Sequence, residues 1–136
     1  MERILGLDVG TKRIGVALSD PLGITAQPLM TIERESRKKD LEAIEALLTQ
    51  YDIKKVVVGM PLNMNGTMGP SGEMAKMVGD KIKNKFKIEL IYVDERLSTV
   101  SAERVLIEGD IRREERKNII DKVAASYILQ TYLDSK

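Results

Sequence analysis

The sequence predicts an α/β fold: one mixed five-stranded sheet in the order βββαβαβαα, with helices on both faces. Three observations predict it. Residues 3–32 hold three apolar, β-rich runs separated only by short turns, which is how an antiparallel meander reads. From about residue 36 the apolar spacing changes from a period of two to one of 3.6. After that, short apolar runs alternate with helical stretches, the pattern of parallel strands joined by crossover helices. The 136 residues fit a single domain, 1–136. A chain of that length buries roughly two-thirds of its unfolded surface and needs no staples.

Taken in order, residues 3–10 and 13–20 form a hairpin around Thr11-Lys12-Arg13, which lies between two glycines. Pro21-Leu22-Gly23 makes the next turn, and 24–32 the third strand. Pro28 cannot donate to a ladder, so this strand is expected at a sheet edge. Leu41, Ile44, Leu47, Leu48 and Tyr51 mark an amphipathic helix over 36–51. Val56–Met60 is wholly apolar and stops at Pro61, as a parallel strand covered on both faces does. A loop, 61–72, carries Gly66, Gly69, Pro70 and Gly72, and leads into a helix over 71–86. Residues 88–94 give the fifth strand. A helix over 98–108 is expected behind Ser98 or Thr99 as N-cap. The charged stretch Gly109–Lys117 precedes a last helix over 117–134. Right-handed crossovers place the first strand at the centre, beside the fourth.

Composition narrows the chemistry. There is no Cys, which removes disulfides and thiolate zinc sites, and no His, which removes the usual general base. With 22 basic and 21 acidic residues the net charge is +1, so nucleic-acid binding would have to rest on a local patch. No signal-peptide core or membrane-length apolar run is visible, and the chain reads as cytoplasmic.

Three acids stand out. Asp8 is a charge inside an apolar strand, where an unpartnered carboxylate costs several kcal/mol. Alone, it is accounted for by a turn cap or a salt bridge. Glu95 follows the fifth strand at its carboxyl end, the end where ligands bind in open α/β sheets. By period two it shares the inward row of Ile91 and Val93, whereas Asp94 points the other way and is expected to be structural or to support the site from behind. A salt bridge to Arg96 is the plain alternative for Glu95. Asp121 shares a helix face with Ala125, Ile128 and Tyr132, flanked by Ala124 and Leu129, and so lies on the stripe that packs against the sheet. Three converging carboxylates repel by about 3 kcal/mol per pair at ~5 Å and an effective dielectric of ~20. A shared proton relieves this, and so does a hard divalent cation. Mg²⁺ or Mn²⁺, one ion or two, suits an oxygen-only cage without His or Cys.

The stretch Leu7–Asp20 resembles the opening signature of the YqgF family, also called RuvX. So do Gly59–Gly66, Asp94–Thr99, and Asp121–Ala125 with Ile128-Leu129-Gln130. The resemblance spans essentially the whole chain. It implies an RNase H-like fold, kinship with Holliday-junction resolvases, and metal-dependent hydrolysis of phosphodiester bonds. The family is described as nucleases that process the 5′ end of pre-16S rRNA, in ribosome biogenesis. It implies Asp8, Glu95 and Asp121 as catalytic and metal-binding residues. A fourth acid, common in RNase H-like nucleases, has no counterpart here: Asn118 and Ala124 occupy the neighbouring turns.

Lys12, Arg13, Arg96, Arg112, Arg113, Arg116 and Lys117 are the candidate nucleic-acid-binding cations. Glu114 and Glu115 interrupt the last group, which reads equally as a solvated charge run. Contacts of this kind to phosphates weaken steeply with salt. Branched DNA is the alternative substrate. A non-catalytic ribosome-assembly module and a sugar-kinase-type ATPase are the alternative classes. The ATPase needs two such lobes, and this chain has room for one. A weak homodimer is compatible with all of these readings.

Overall fold

All six residues of the first strand, β1 (Ile4–Val9), are buried, and their place in the sheet accounts for it. The strand order is β3-β2-β1-β4-β5. β2 (Arg13–Ser19) runs antiparallel to β1, and β3 (Ala26–Glu33) antiparallel to β2. β4 (Lys55–Met60) is parallel to β1, and β5 (Glu89–Asp94) is parallel to β4. β1 is therefore paired on both edges and, as the cores below show, covered on both faces. The structure is a computed structural model that describes residues 3–97 and 113–135, with residue 97 and residues 113–119 described by backbone only. The helix expected over 98–108, with its Ser98 or Thr99 cap, lies outside the described residues.

The sheet separates two cores. On one face Leu5, Leu7 and Val9 meet Ile14, Val16 and Leu18 under two helices, α1 (Arg37–Gln50) and α2 (Pro70–Phe86). On the other face Ile4, Ala17, Val57 and Val93 lie beneath Ala124, Ala125, Ile128, Leu129 and Leu133 of α3 (Arg113–Asp134). Residues of β1 alternate between the two cores, as the two-residue period of a strand requires. Helices thus cover both faces, as expected from the sequence.

The boundaries that differ have local causes. β3 begins at Ala26, not residue 24, because Asp20 draws the preceding residues into its turn. Its Oδ1 accepts the amides of Ile24 at 2.7 Å and Thr25 at 2.9 Å. These amides hold the Asp20 carboxyl below the usual carboxylate range, with the Thr25 bond the leading cause. Pro28 lies on an edge strand as expected. The register shifts beside it: Val16 pairs with Met30 and Ala17 with Pro28, which leaves Leu29 as a bulge. α2 starts at Pro70, where a missing amide costs nothing. The last helix already includes Arg113, four residues before the expected 117. Among the described residues, no helix is long and apolar enough to cross a membrane.

Candidate functional site

Asp8 is 8% exposed on the central strand, and glycines stand level with it on both sides. It pairs with Gly15 of β2. Gly59 of β4 lies one residue beyond the Leu7–Val58 pair, level with Asp8 on its other edge. Each glycine makes room for another acid. A Cβ on Gly15 would overlap the carbonyl oxygen of Asp121, so α3 rests directly on the sheet there. A Cβ on Gly59 would stand 2.9 Å from Glu95 Oε1, so the glutamate folds back over β4. A third glycine, Gly6, continues the seat for α3: its Cβ would come 2.8 Å from Leu129 Cβ. An isolated glycine in a strand signals a close approach of this kind.

The three acids line one cleft of about 240 Å³ with Val9, Gly10, Thr11, Pro61, Ser71 and Met74. The structure therefore brings together Asp8, Glu95 and Asp121 from β1, the turn after β5, and α3. Arg13 donates from Nε to Asp121 Oδ2 at 2.9 Å, with both side chains about one-quarter exposed (22% and 24%). No three acidic side chains among the described residues stand in the tight cluster that would hold a metal ion. The donor set itself fits a hard cation: three carboxylates in one cleft, in a chain with no His and no Cys.

The candidate cations have separate fates. Arg13 is engaged by Asp121. Lys12 is exposed in the hairpin turn, next to the cleft-lining Thr11. Arg96 pairs with Asp94, not with Glu95: Nη2 reaches Asp94 Oδ2 at 2.7 Å and Nε reaches both carboxylate oxygens. Its Nη1 extends to the carbonyls of Asn63 and Met64, at 3.5 and 3.4 Å. Arg96 thus braces the loop after β4 against the end of β5. Asp94, expected to be structural or to support the site from behind, holds Arg96. Arg112 lies outside the described residues, as do the side chains of Arg113, Arg116 and Lys117. The loop is itself internally bonded, with Asn63 N to Thr67 O and Gly66 N to Asn63 O each at 2.9 Å.

Two residues that the sequence reading passed over hold the hairpin in place. Arg34 donates from Nη1 to Gly10 O at 2.9 Å, and its amide bonds to Lys12 O at 2.9 Å. Asp40 on α1 is 5% exposed and accepts from Arg34 Nε at 3.0 Å. They clamp the turn that carries Thr11, Lys12 and Arg13. Gln130, quoted for its motif, is structural as well. It bonds Ala26 N and Ile24 O at 2.9 Å each and ties α3 to the sheet edge.

The Asp94–Arg96 pair gives a pH test. The Arg96 side chain holds the Asp94 carboxyl below its ordinary range. A carboxyl depressed in the folded state stabilises above its unfolded pKa of about 3.9 and loses that contribution as pH falls through the folded value. We expect Arg96→Ala to melt below wild type by a constant margin above about pH 5, and the margin to shrink steadily as pH falls below about 4. Thermal melts from pH 2 to 7 check this; a margin independent of pH rejects it.

A family model described as "RuvX: Holliday junction resolvase" matches residues 2–135. A Clostridium beijerinckii protein named "Putative pre-16S rRNA nuclease" is 53% identical over 132 residues, covering 97% of this chain and 96% of its own. A Clostridium tetani protein of the same name is 53% identical over 133 residues, covering 98% and 96%. Among solved structures, Thermus thermophilus RuvC in complex with a Holliday junction substrate aligns with TM-score 0.60 at 12% identity, over 99% of this chain and 96% of that one. The fowlpox virus Holliday junction resolvase aligns with TM-score 0.58 at 18% identity, over 98% and 99%. At these identities the two structures establish the fold, which is RNase H-like.

Proposed function

We propose that this chain, which belongs to the RuvX family, is a divalent-metal-dependent nuclease whose substrate is the precursor of 16S rRNA. One observation carries the reading: carboxylates from three separate elements, Asp8, Glu95 and Asp121, line a single cleft. Relatives over half identical across nearly the whole chain bear the name of that activity. Processing of a ribosomal precursor gives the protein a cytoplasmic role.

Asp8, Glu95 and Asp121 would hold Mg²⁺ or Mn²⁺, as hard oxygen donors do. A bound divalent ion supplies Lewis-acid chemistry, lowering the pKa of water and offsetting charge on the phosphate. The chain's own part is to fix geometry. Gly15 and Gly59 seat two of the acids beside the third. The Arg34–Asp40 pair fixes the turn that presents Lys12 and Arg13 to backbone phosphates. The Arg96 brace sets the loop at the mouth of the cleft. With no His in the chain, proton transfer from water falls to carboxylates or solvent.

The test offers a pre-16S rRNA transcript and a four-way DNA junction side by side, with Mg²⁺, Mn²⁺ or a chelator. We expect divalent-dependent cleavage at the 5′ side of the transcript and an intact junction. Cleavage of the junction alone would move the substrate to branched DNA, the reading favoured by the family description. No cleavage of either with either ion overturns the nuclease assignment.

A further inference from the structure

The three acids share a cleft, yet among the described residues no three of them form a metal-holding cluster. Arg13 holds Asp121 at 2.9 Å. The backbone of Asp121 has little freedom, because its carbonyl rests on Gly15. Only its side chain has a choice of partner. Arg13 is similarly placed: Gly10 N bonds its carbonyl at 2.8 Å, and Arg34 clamps the same turn. Two fixed backbones whose side chains meet only at their ends make a pair that can open without moving either element. The pair is partly exposed and bound through a single Nε contact, so it is weak enough to exchange.

We propose that Arg13 makes metal loading depend on nucleic acid. In the free protein its guanidinium keeps the Asp121 carboxylate. A backbone phosphate entering the cleft offers a better partner than the single Nε contact to Asp121, because it can take the guanidinium fork through two hydrogen bonds. Arg13 turns to the phosphate, and Asp121 is released as the third carboxylate for the cation. Binding order then follows from the fold: nucleic acid first, a complete metal site second. Because coupling between two ligands is reciprocal, the cation strengthens nucleic-acid binding by the same factor. The inference rests on the proposed nuclease reading and deepens it.

The experiment measures Mg²⁺ affinity by calorimetry with and without an RNA hairpin bearing phosphorothioate linkages, which resist cleavage. For wild type the hairpin should tighten Mg²⁺ binding by about 5- to 150-fold, and Mg²⁺ should tighten hairpin binding equally. Arg13→Gln should bind Mg²⁺ more tightly than wild type without RNA and lose most of the coupling. Arg13→Lys keeps the charge without the fork and should fall between them. Because removing a positive charge also raises cation affinity, a second readout follows the hand-over itself. The Arg13 Nε–H NMR signal, assigned by its loss in Arg13→Gln, should move on adding the hairpin alone. An unmoved signal, or equal RNA-free affinities in wild type and Arg13→Gln, overturns the latch. If the wild type binds both Mg²⁺ and hairpin while the latch signatures are missing, the latch falls and the nuclease reading stands. If it binds neither, both fall.

Discussion

Asp8→Asn is expected to slow phosphodiester cleavage by orders of magnitude while leaving the protein folded. Asn matches Asp in size and removes only the charge. The position is 8% exposed on the central strand, level with the two glycines that admit Glu95 and Asp121. In the proposed site the carboxylate supplies one corner of a cation cage. A cation's charge stabilisation of the transition state amounts to several kcal/mol, so we expect a rate loss of about 10²- to 10⁴-fold. Stability should move differently. Removing one of three carboxylates that line the same cleft relieves part of their mutual repulsion. That relief offsets the interactions the carboxylate makes, and the melting temperature should stay within a few degrees of wild type. An aspartate kept for structure alone would lose stability and activity in proportion. Cleavage rates and thermal melts on the same preparations decide between the two, and retention of wild-type cleavage sinks the site assignment.

The path from Asp8 to that prediction shows which parts of the site were readable in the sequence. The acids could be singled out as sharing faces with the second core because strand and helix periods fix faces. Period two put Glu95 in the row of Val93, and period 3.6 put Asp121 above Ala125 and Ile128, where the second core has those residues. Pro28 announced an edge through its missing amide, and β3 is an edge. What periodicity does not carry is which distant side chains pair. Arg96 lies next to Glu95 in sequence but turns to Asp94 and the loop. Arg13 and Asp121 are 108 residues apart, and the Arg34–Asp40 clamp looks like surface charge until α1 is docked. The glycines are an intermediate case. Gly15 and Gly59 were visible inside strands, where glycine weakens the sheet unless something approaches closely. Matching them to Asp121 and Glu95 required the β2-β1-β4 neighbourhood as well as the pattern within each strand.

Gly15 also sets the second large effect. Gly15→Ala should lower the melting temperature by about 10 °C or more, through overpacking of a few kcal/mol in a domain of this size. The methyl group would overlap a backbone carbonyl, that of Asp121, and no rotamer change relieves such a contact. Either β2 or α3 must move. α3 rests on β1 as well: Ala125 O and Leu129 press on Gly6. Displacement therefore loosens the whole second core and carries Asp121 away from Asp8. Gly59→Ala is the informative partner. Its methyl group would meet side chains first: Ile128 Cδ1 at 2.5 Å and Cγ1 at 3.2 Å, and Glu95 Oε1 at 2.9 Å. Glu95 is only half-buried and can turn its end away, but Ile128 is fully buried and must repack, so this variant should melt below wild type by less than Gly15→Ala. Its escape takes Glu95 out of position, and a misplacement of about 1 Å costs on the order of 100-fold in rate. The two variants thus separate two roles of the glycine row: Gly15 seats the helix and Gly59 seats the acid. Equal melting temperatures for Gly15→Ala and wild type would mean that α3 is not in backbone contact with β2. Undiminished cleavage by Gly59→Ala would mean that Glu95 does not work from above β4.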